Sequence, residues 1–324
     1  DAYGGAHLEY GKEYIIPKPF DPRLIYEIPP AVAKAAMDSG VAKEPILDWE
    51  VYRTELMERL GTSNKIVRLL HNRAKNNPKK IVFAEADHLD VLKAAQIVND
   101  EGIGHPILLG DKETILELKD EIGFTAEVPI IDPKTPEEKE RRLRFAEKYW
   151  TGHQRKGIKL LDAQKWMRER NYFAAMMVNE GEADALITGQ TRNYITVIKP
   201  MLELIGLAKG VTRVAAANLM LTKRGPIFLA DTTINIDPTA KELAKISQLT
   251  ASLAKMFNIK PNIAILSYSN FGASKTENSK KIAEAVGYIH RHFPNVVIDG
   301  EVQADFALNP DLLKKEFPFS KLVN

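Results

Sequence analysis

Ile263-Ala-Ile-Leu-Ser-Tyr-Ser-Asn-Phe-Gly-Ala-Ser-Lys275 turns from an apolar run into a hydroxyl-rich loop with one glycine, and a helical pattern from Thr276 to Phe293 follows it. A short apolar strand, a polar loop and a helix in that order make the repeating unit of a parallel α/β sheet. Open sheets of that kind place ligands at the carboxyl ends of their strands. Two readings of the loop stand side by side. Ser267, Ser269, Ser274 and Lys275, together with the backbone N–H groups of the helix start, suit an anion such as phosphate. The same serines also suit a plain strand-to-helix turn, where hydroxyls cap helices.

Outward from this stretch, strands and helices alternate over most of the chain. Helices are expected over Asn64–Asn76, Val91–Gly102, Glu113–Ile122 and Pro136–Tyr149, then over a long segment Leu161–Glu180, and over Ile195–Ile205. Between them Ile81–Glu85, His105–Gly110, Val128–Asp132 and Ala183–Gly189 read as strands. This is βαβ spacing, which implies a parallel sheet with helices on both faces. In the long helix Trp166, Phe173, Met176 and Met177 point inward, the methionines as core filling. A second unit begins near Val211, with strands Arg213–Leu221 and Pro226–Ala230 joined by the hairpin-length turn Thr222-Lys-Arg-Gly. Asp237-Pro238 then opens a helix over Thr239–Phe257, and Val296–Glu301 and Pro310–Phe317 read as a last strand and helix.

Residues 1–60 do not read as a domain. Tyr14-Ile-Ile-Pro-Lys-Pro-Phe-Asp-Pro-Arg-Leu-Ile is extended and punctuated by proline. Pro29-Pro30 opens a short helix Ala31–Ser39, and Asp48 caps a helix Trp49–Leu60 that ends at Gly61. The expected division is 1–60 as a tail and linker, 61–210 as a first α/β domain and 211–324 as a second.

With 45 Lys and Arg against 43 Asp and Glu, the net charge of +2 gives no argument for a nucleic-acid stripe or a polybasic membrane anchor, and neither partner is expected. The lack of cysteine excludes a disulfide scaffold, a thiolate nucleophile and a cysteine zinc site. No apolar run approaches the roughly 18 residues of a membrane span. Asp1-Ala-Tyr-Gly-Gly lacks the regions of a signal peptide, so a cytoplasmic location is expected. The absence of an initiator methionine suggests a fragment or a processed product.

Three loops follow strands and carry small polar residues: Thr188–Tyr194, Asp231–Asp237 and Ser267–Lys275. Arg192 and Lys199 add positive charge to the first and Lys275 to the third, a donor-rich set suited to a phosphate-bearing ligand. There is no Gly-x-Gly-x-x-Gly, Walker loop or His-Glu-x-x-His, and the seven histidines are scattered. Asp231 and Asp299 each end a strand. Either could serve as an acid or base, with a cap or turn role favoured for Asp299.

Ala183-Asp-Ala-Leu-Ile-Thr-Gly, Gly225-Pro-Ile-Phe-Leu-Ala-Asp-Thr-Thr-Ile-Asn-Ile-Asp-Pro-Thr-Ala, Leu266-Ser-Tyr-Ser-Asn-Phe-Gly-Ala-Ser and Ile298-Asp-Gly-Glu-Val-Gln-Ala-Asp resemble phosphate acetyltransferases (phosphotransacetylases). Tyr14-Ile-Ile-Pro-Lys-Pro-Phe-Asp-Pro-Arg-Leu and Pro29-Pro-Ala-Val-Ala-Lys-Ala-Ala resemble the end of the NAD domain of bacterial malic enzymes. Together they resemble the multidomain NADP-dependent malic enzymes, in which a phosphotransacetylase-like region follows the malic-enzyme region.

The resemblance implies two three-layer α/β domains of the phosphotransacetylase type with a cleft between them, preceded by a helical and extended linker. The family's later Asp-Leu-Ser-Arg-Gly segment, with a further arginine, would lie beyond Asn324, so the C-terminal part is expected to be missing. Carried onto this sequence, the implied acetyl-CoA or phosphate ligands are Thr188, Thr191, Arg192, Lys199, Asn235, Ser267, Ser269, Asn270, Gly272, Ser274 and Lys275. NADP and a divalent metal belong to the malic-enzyme domain outside this chain, and no cofactor or metal is expected within it.

Two departures bear on chemistry. The family has arginines where this sequence has Lys199 (Ile-Lys-Pro-Met-Leu) and His153 (His-Gln-Arg-Lys-Gly). Lysine lacks the bidentate fork that arginine offers phosphate, and a histidine at its ordinary pKa is neutral at pH 7. The expectation is a catalytically silent region that binds acetyl-CoA as an effector, contacts its own upstream domain and helps to form a homo-oligomer. The alternative is a working phosphate acetyltransferase, with Lys199 and Asp231 as catalytic candidates and Arg192 or Arg155 standing in for the arginines.

Overall fold

The computed structural model describes residues 24–58, 62–222 and 225–323. Much of the expected extended segment from Tyr14 lies outside them, as do the helix stop at Leu60-Gly61 and the hairpin turn residues Lys223 and Arg224. The first elements are helices α1 (Leu24–Asp38), α2 (Trp49–Glu58) and α3 (Thr62–Asn76). Asp48 caps α2, its Oδ1 accepting the N–H groups of Glu50 and Val51 at 2.9 and 3.0 Å. One expectation is corrected here: α1 starts before Pro29-Pro30 and carries both prolines inside it. Each proline forfeits one helical hydrogen bond. The helix lies at the surface, where water can take the freed carbonyls.

A four-stranded parallel sheet follows, built from β1 (Lys79–Phe83), β2 (Gly104–Leu109), β3 (Ile130–Ile131) and β4 (Ala185–Ile187). Helix α4 (Leu89–Asp100) connects β1 to β2 and α5 (Lys112–Glu121) connects β2 to β3. Helices α6 (Lys139–His153), α7 (Leu160–Trp166) and α8 (Arg170–Asn179) then lead to β4, which pairs on the other side of β1. The spatial order is therefore β3-β2-β1-β4, and it reverses at β1.

Strand side chains alternate across the sheet. Val82, Ala84, Ile107 and Leu109 enter one core with Phe145, Tyr149, Phe173, Met176 and Met177. Phe83 and Leu108 enter the other with Leu92, Ile115 and Phe124. Both faces are buried, so the central stretches Ile81–Phe83 and Ile107–Leu109 read as unbroken apolar runs. The expected long helix Leu161–Glu180 is divided in two. Glu169 breaks it by turning its carboxylate back onto the N–H groups of Asn171 and Tyr172 at 2.9 and 3.2 Å, capping α8.

Beyond β4, α9 (Tyr194–Pro200) runs into a π-helical turn Met201–Ile205. An antiparallel hairpin β5 (Ala217–Thr222) and β6 (Gly225–Ala230), helix α10 (Ala240–Met256), a parallel pair β7 (Asn262–Leu266) and β8 (Val297–Val302), and helix α11 (Glu277–His292) form the second half. Ala244, Ile289 and Ile298 centre its core. Short helices α12 (Ala304–Ala307) and α13 (Pro310–Glu316) close the chain. Helix α3 lies against the β5–β6 hairpin, and Arg73 donates to the Met256 carbonyl and, at 3.0 Å, to the Asn258 side chain. No helix among the described residues is long and apolar enough to cross a membrane.

Leu108 is fully buried in the core beneath α4 and α5. Leu108→Ala is expected to destabilise the fold by about 2–5 kcal/mol, read as a lower midpoint in chemical denaturation. An unchanged midpoint would contradict this packing.

Candidate functional site

The reversal of strand order at β1 opens a crevice at the carboxyl ends of β1 and β4, the place where open α/β sheets bind ligands. Glu85, two residues past β1, is completely buried there. Its carboxylate accepts hydrogen bonds from the Thr188 hydroxyl at 3.0 Å and from the N–H groups of Gly189, Gln190 and Thr191 at 2.6, 3.1 and 2.6 Å. The Thr191 hydroxyl completes the set. The loop after β4 is thus an anion cradle, and the anion it holds belongs to the chain itself. Burial pushes the Glu85 pKa up, but the Thr191 hydroxyl and the loop N–H groups outweigh it and bring it down from 4.5 to about 2.

The stretch Ser267–Lys275 repeats the arrangement in the second half. Glu301, on β8 and buried, accepts from Ser269 Oγ at 3.0 Å and from the Gly272 N–H at 3.2 Å, while its own carbonyl accepts the Phe271 N–H at 2.7 Å. Gly300 lets the strands approach this closely, since a Cβ there would stand 2.6 Å from the Ile265 carbonyl oxygen. Asn270 and Gln303 brace the loop from the other side through reciprocal hydrogen bonds of 2.6 and 2.7 Å. Ser274 Oγ pairs with the Tyr268 hydroxyl at 2.7 Å, and Thr276 caps α11. Both open readings of the loop are partly realised. It is a capped turn, and its inward donors form a cradle already filled by Glu301.

In the third loop Asp231 accepts the N–H groups of Ala216 and Asn235 at 2.9 and 2.8 Å and the Asn235 side-chain amide. Burial raises its pKa and these bonds more than offset that, holding it below the ordinary carboxylate value. Asn235 is engaged at both ends, its carbonyl accepting from Arg213 at 2.5 Å and its amide also donating to Val214 O at 3.0 Å. Asp299 holds the last turn, accepting from Ser320 Oγ and the Lys321 N–H, both at 2.9 Å, which is the turn role read from the sequence.

Lys199 and His153 fall on one cluster. Glu203 accepts the hydroxyls of Tyr149 and Tyr172, each at 2.9 Å, and lies 3.9 Å from Lys199 Nζ. The His153 ring stacks on Tyr149 at 4.3 Å between centroids, with Nδ1 2.9 Å from the Tyr149 carbonyl oxygen. Lys199 also sits 5.9 Å from the centre of the Trp166 ring. Arg192, by contrast, is exposed and faces a cavity of about 350 Å³ beside Gly110, Lys134, Arg168 and Arg170. Lys275 is exposed and, among the described residues, makes no ion pair; the Ser267 hydroxyl likewise has no partner.

Sequence reasoning passed over Glu85, Glu301 and the pair Asp87–Arg170, whose two parallel hydrogen bonds of 2.6 and 2.9 Å tie α8 to the loop after β1. The available signal was a charge ending an apolar run: Ile81-Val-Phe-Ala leads straight into Glu85, and Asp87 follows. Gly110 permits the approach of Asp87, since a Cβ there would meet its Cγ at 3.0 Å.

A parallel α/β sheet with a polar crevice at its switch point is followed by a strand-loop-helix unit of the same design. The family model of phosphate acetyl/butaryl transferases matches residues 65–324, and the chain belongs to that family. It is 36% identical over 99% of its length to the NADP-dependent malic enzyme of Salmonella typhimurium, and spans 43% of that protein. It is 32% identical to the phosphate acetyltransferase of Bacillus subtilis, covering 75% of this chain and 74% of that one. Among solved structures, a phosphotransacetylase from Streptococcus pyogenes superposes with a TM-score of 0.70 at 33% identity, covering 79% of this chain and 78% of that one.

The sign of the Glu85 shift fixes a pH dependence. A carboxylate whose folded pKa is depressed contributes stability that is present above the unfolded pKa and lost as pH falls towards the folded value. Between 4.5 and about 2 that contribution is about 3 kcal/mol for this buried group. Glu85→Gln is expected to lower stability at pH 7 and to flatten its decline between pH 5 and pH 2, measured by urea melts across pH. Parallel curves for the two proteins would rule out this role.

Proposed function

We propose that this chain is the regulatory and assembly region of an NADP-dependent malic enzyme, binding acetyl-CoA as an allosteric effector without turning it over. In this reading malate and NADP are converted to pyruvate, CO2 and NADPH by the upstream domain, in the cytoplasm, and this region adds control and homo-oligomer contacts. Residues 61–210 and 211–324 act as the two domains flanking the effector cleft, with residues 1–60 as the connection. Similarity to malic enzymes across 99% of the chain supports the setting.

The observation that carries the silent reading is the cluster around Glu203. The two positions at which phosphate acetyltransferases use arginine are occupied by a lysine near a carboxylate and a histidine stacked on Tyr149. Neither presents a fork to an acetyl phosphate, and Asp231 is committed to backbone N–H groups. Arg192, Ser267 and Lys275 keep donors for the phosphates of a CoA ester.

Acetyl-CoA formation from acetyl phosphate and CoA by the full-length protein is expected to stay at background, while acetyl-CoA changes malate turnover. By reciprocity, malate-site ligands then shift acetyl-CoA affinity by the same factor as acetyl-CoA shifts theirs, on the order of 5- to 150-fold in typical allosteric systems. Turnover at enzyme-like rates would establish the phosphate acetyltransferase reading instead. Calorimetry showing no CoA-ester binding would leave a purely structural dimerisation unit.

A further inference from the structure

A second basic cavity lies outside the loops discussed so far. It measures about 520 Å³ and is bordered by Lys134, Lys139, Arg142, Lys165 and Arg168, with no acidic residue in its lining. It joins the 350 Å³ cavity of Arg192, the two sharing Lys134, Lys165 and Arg168. None of these five cations makes an ion pair with a carboxylate among the described residues. Arg142 is held by carbonyls instead, donating to Pro133 O and Thr135 O, both at 2.6 Å. The acids of the adjoining cavity are turned to the backbone. Asp111 caps α5 through the Thr114 N–H at 2.9 Å, Asp132 accepts the Lys134 N–H at 2.8 Å, and Glu169 caps α8.

On the same helix, Arg141 and Arg144 pair with Glu182, and Lys148 pairs with Glu180. Five unpaired cations around one concavity repel each other, and a multiply charged anion relieves that repulsion. The cavity wall also shows Leu143 and Leu161, which are 43% and 63% exposed. Inorganic phosphate would leave these leucines wet. A ligand with an apolar ring and two or more phosphates would cover them, and Gln164 offers an amide to the edge of the ring.

We infer that the cavity between the start of α6 and α7 binds the base and phosphates of a free nucleoside diphosphate. The leucines take the base, and Lys134, Lys139, Lys165 and Arg168 take the phosphates. This does not depend on the effector reading, because it predicts binding of a nucleotide that carries no acyl or pantetheine group.

The test is calorimetric titration of the full chain with ADP and, separately, pyrophosphate. ADP is expected to bind more tightly than pyrophosphate and to weaken as salt rises. The paired variant Lys165→Gln with Arg168→Gln is expected to weaken ADP at least tenfold, and Lys139→Gln alone by a smaller factor. These side chains, apart from Arg142, are exposed, and an unchanged thermal midpoint verifies that the variants fold. Simultaneous binding of ADP and CoA is the expected result; displacement of bound ADP by CoA would place ADP in the acyl-CoA site and overturn the proposal. No ADP binding at millimolar concentration, or equal affinity in wild type and both variants, would overturn it.

Discussion

A carboxylate sealed from solvent must have its oxygens satisfied, and at Glu85 that requirement organises the crevice of the first half. The chain meets it by bending the loop after β4 so that three successive N–H groups and two threonine hydroxyls converge on one side chain. The bond spans more than a hundred residues of sequence and joins the two strands at which the sheet reverses. Glu301 does the same for the loop after β7, and Asp231 for the loop after β6. Three loops with different sequences therefore share one construction, a strand-end carboxylate surrounded by inward-turned donors.

That construction decides which groups remain for a ligand. Donors facing inward are committed to stabilising the protein's own charge, and a phosphate competing for them would have to displace a buried carboxylate. What is left is Arg192 on its cavity, the exposed Lys275 and the unpartnered hydroxyl of the half-buried Ser267. The Glu203 cluster works in the same direction. Two tyrosine hydroxyls and one lysine gather on a single carboxylate, and His153 packs flat against one of those tyrosines. Lys199 and His153 are thereby absorbed into local structure.

Much of this fold was legible in the sequence because burial has a period. Val82 and Phe83 belong to opposite cores, so Ile81–Phe83 reads as an unbroken apolar run, and Met176 and Met177 sit in the core as their helical spacing implies. The failures came where a polar side chain chose its partner. Glu169 could have been one more exposed residue of a long helix; it broke the helix because its carboxylate found two N–H groups a turn ahead. Glu85 read as the last residue of a strand, and only the folded sheet brings Thr188–Thr191 to it. Hydrophobic periodicity records what is buried, and carries no information about pairings between distant polar groups. Among the polar loop positions, the sequence could not separate Arg192, which faces a cavity, from Asn235, which is bound within its own loop.

Helix α3 comes immediately before the first strand of the sheet, yet Arg73 on it grips the carboxyl end of α10 in the other half. The segment that leads into the fold is therefore clamped to the far body before the near body begins. One guanidinium thus ties the helix that runs into β1 to the end of α10, so the entry to the first half and a core helix of the second are fastened by the same turn of chain.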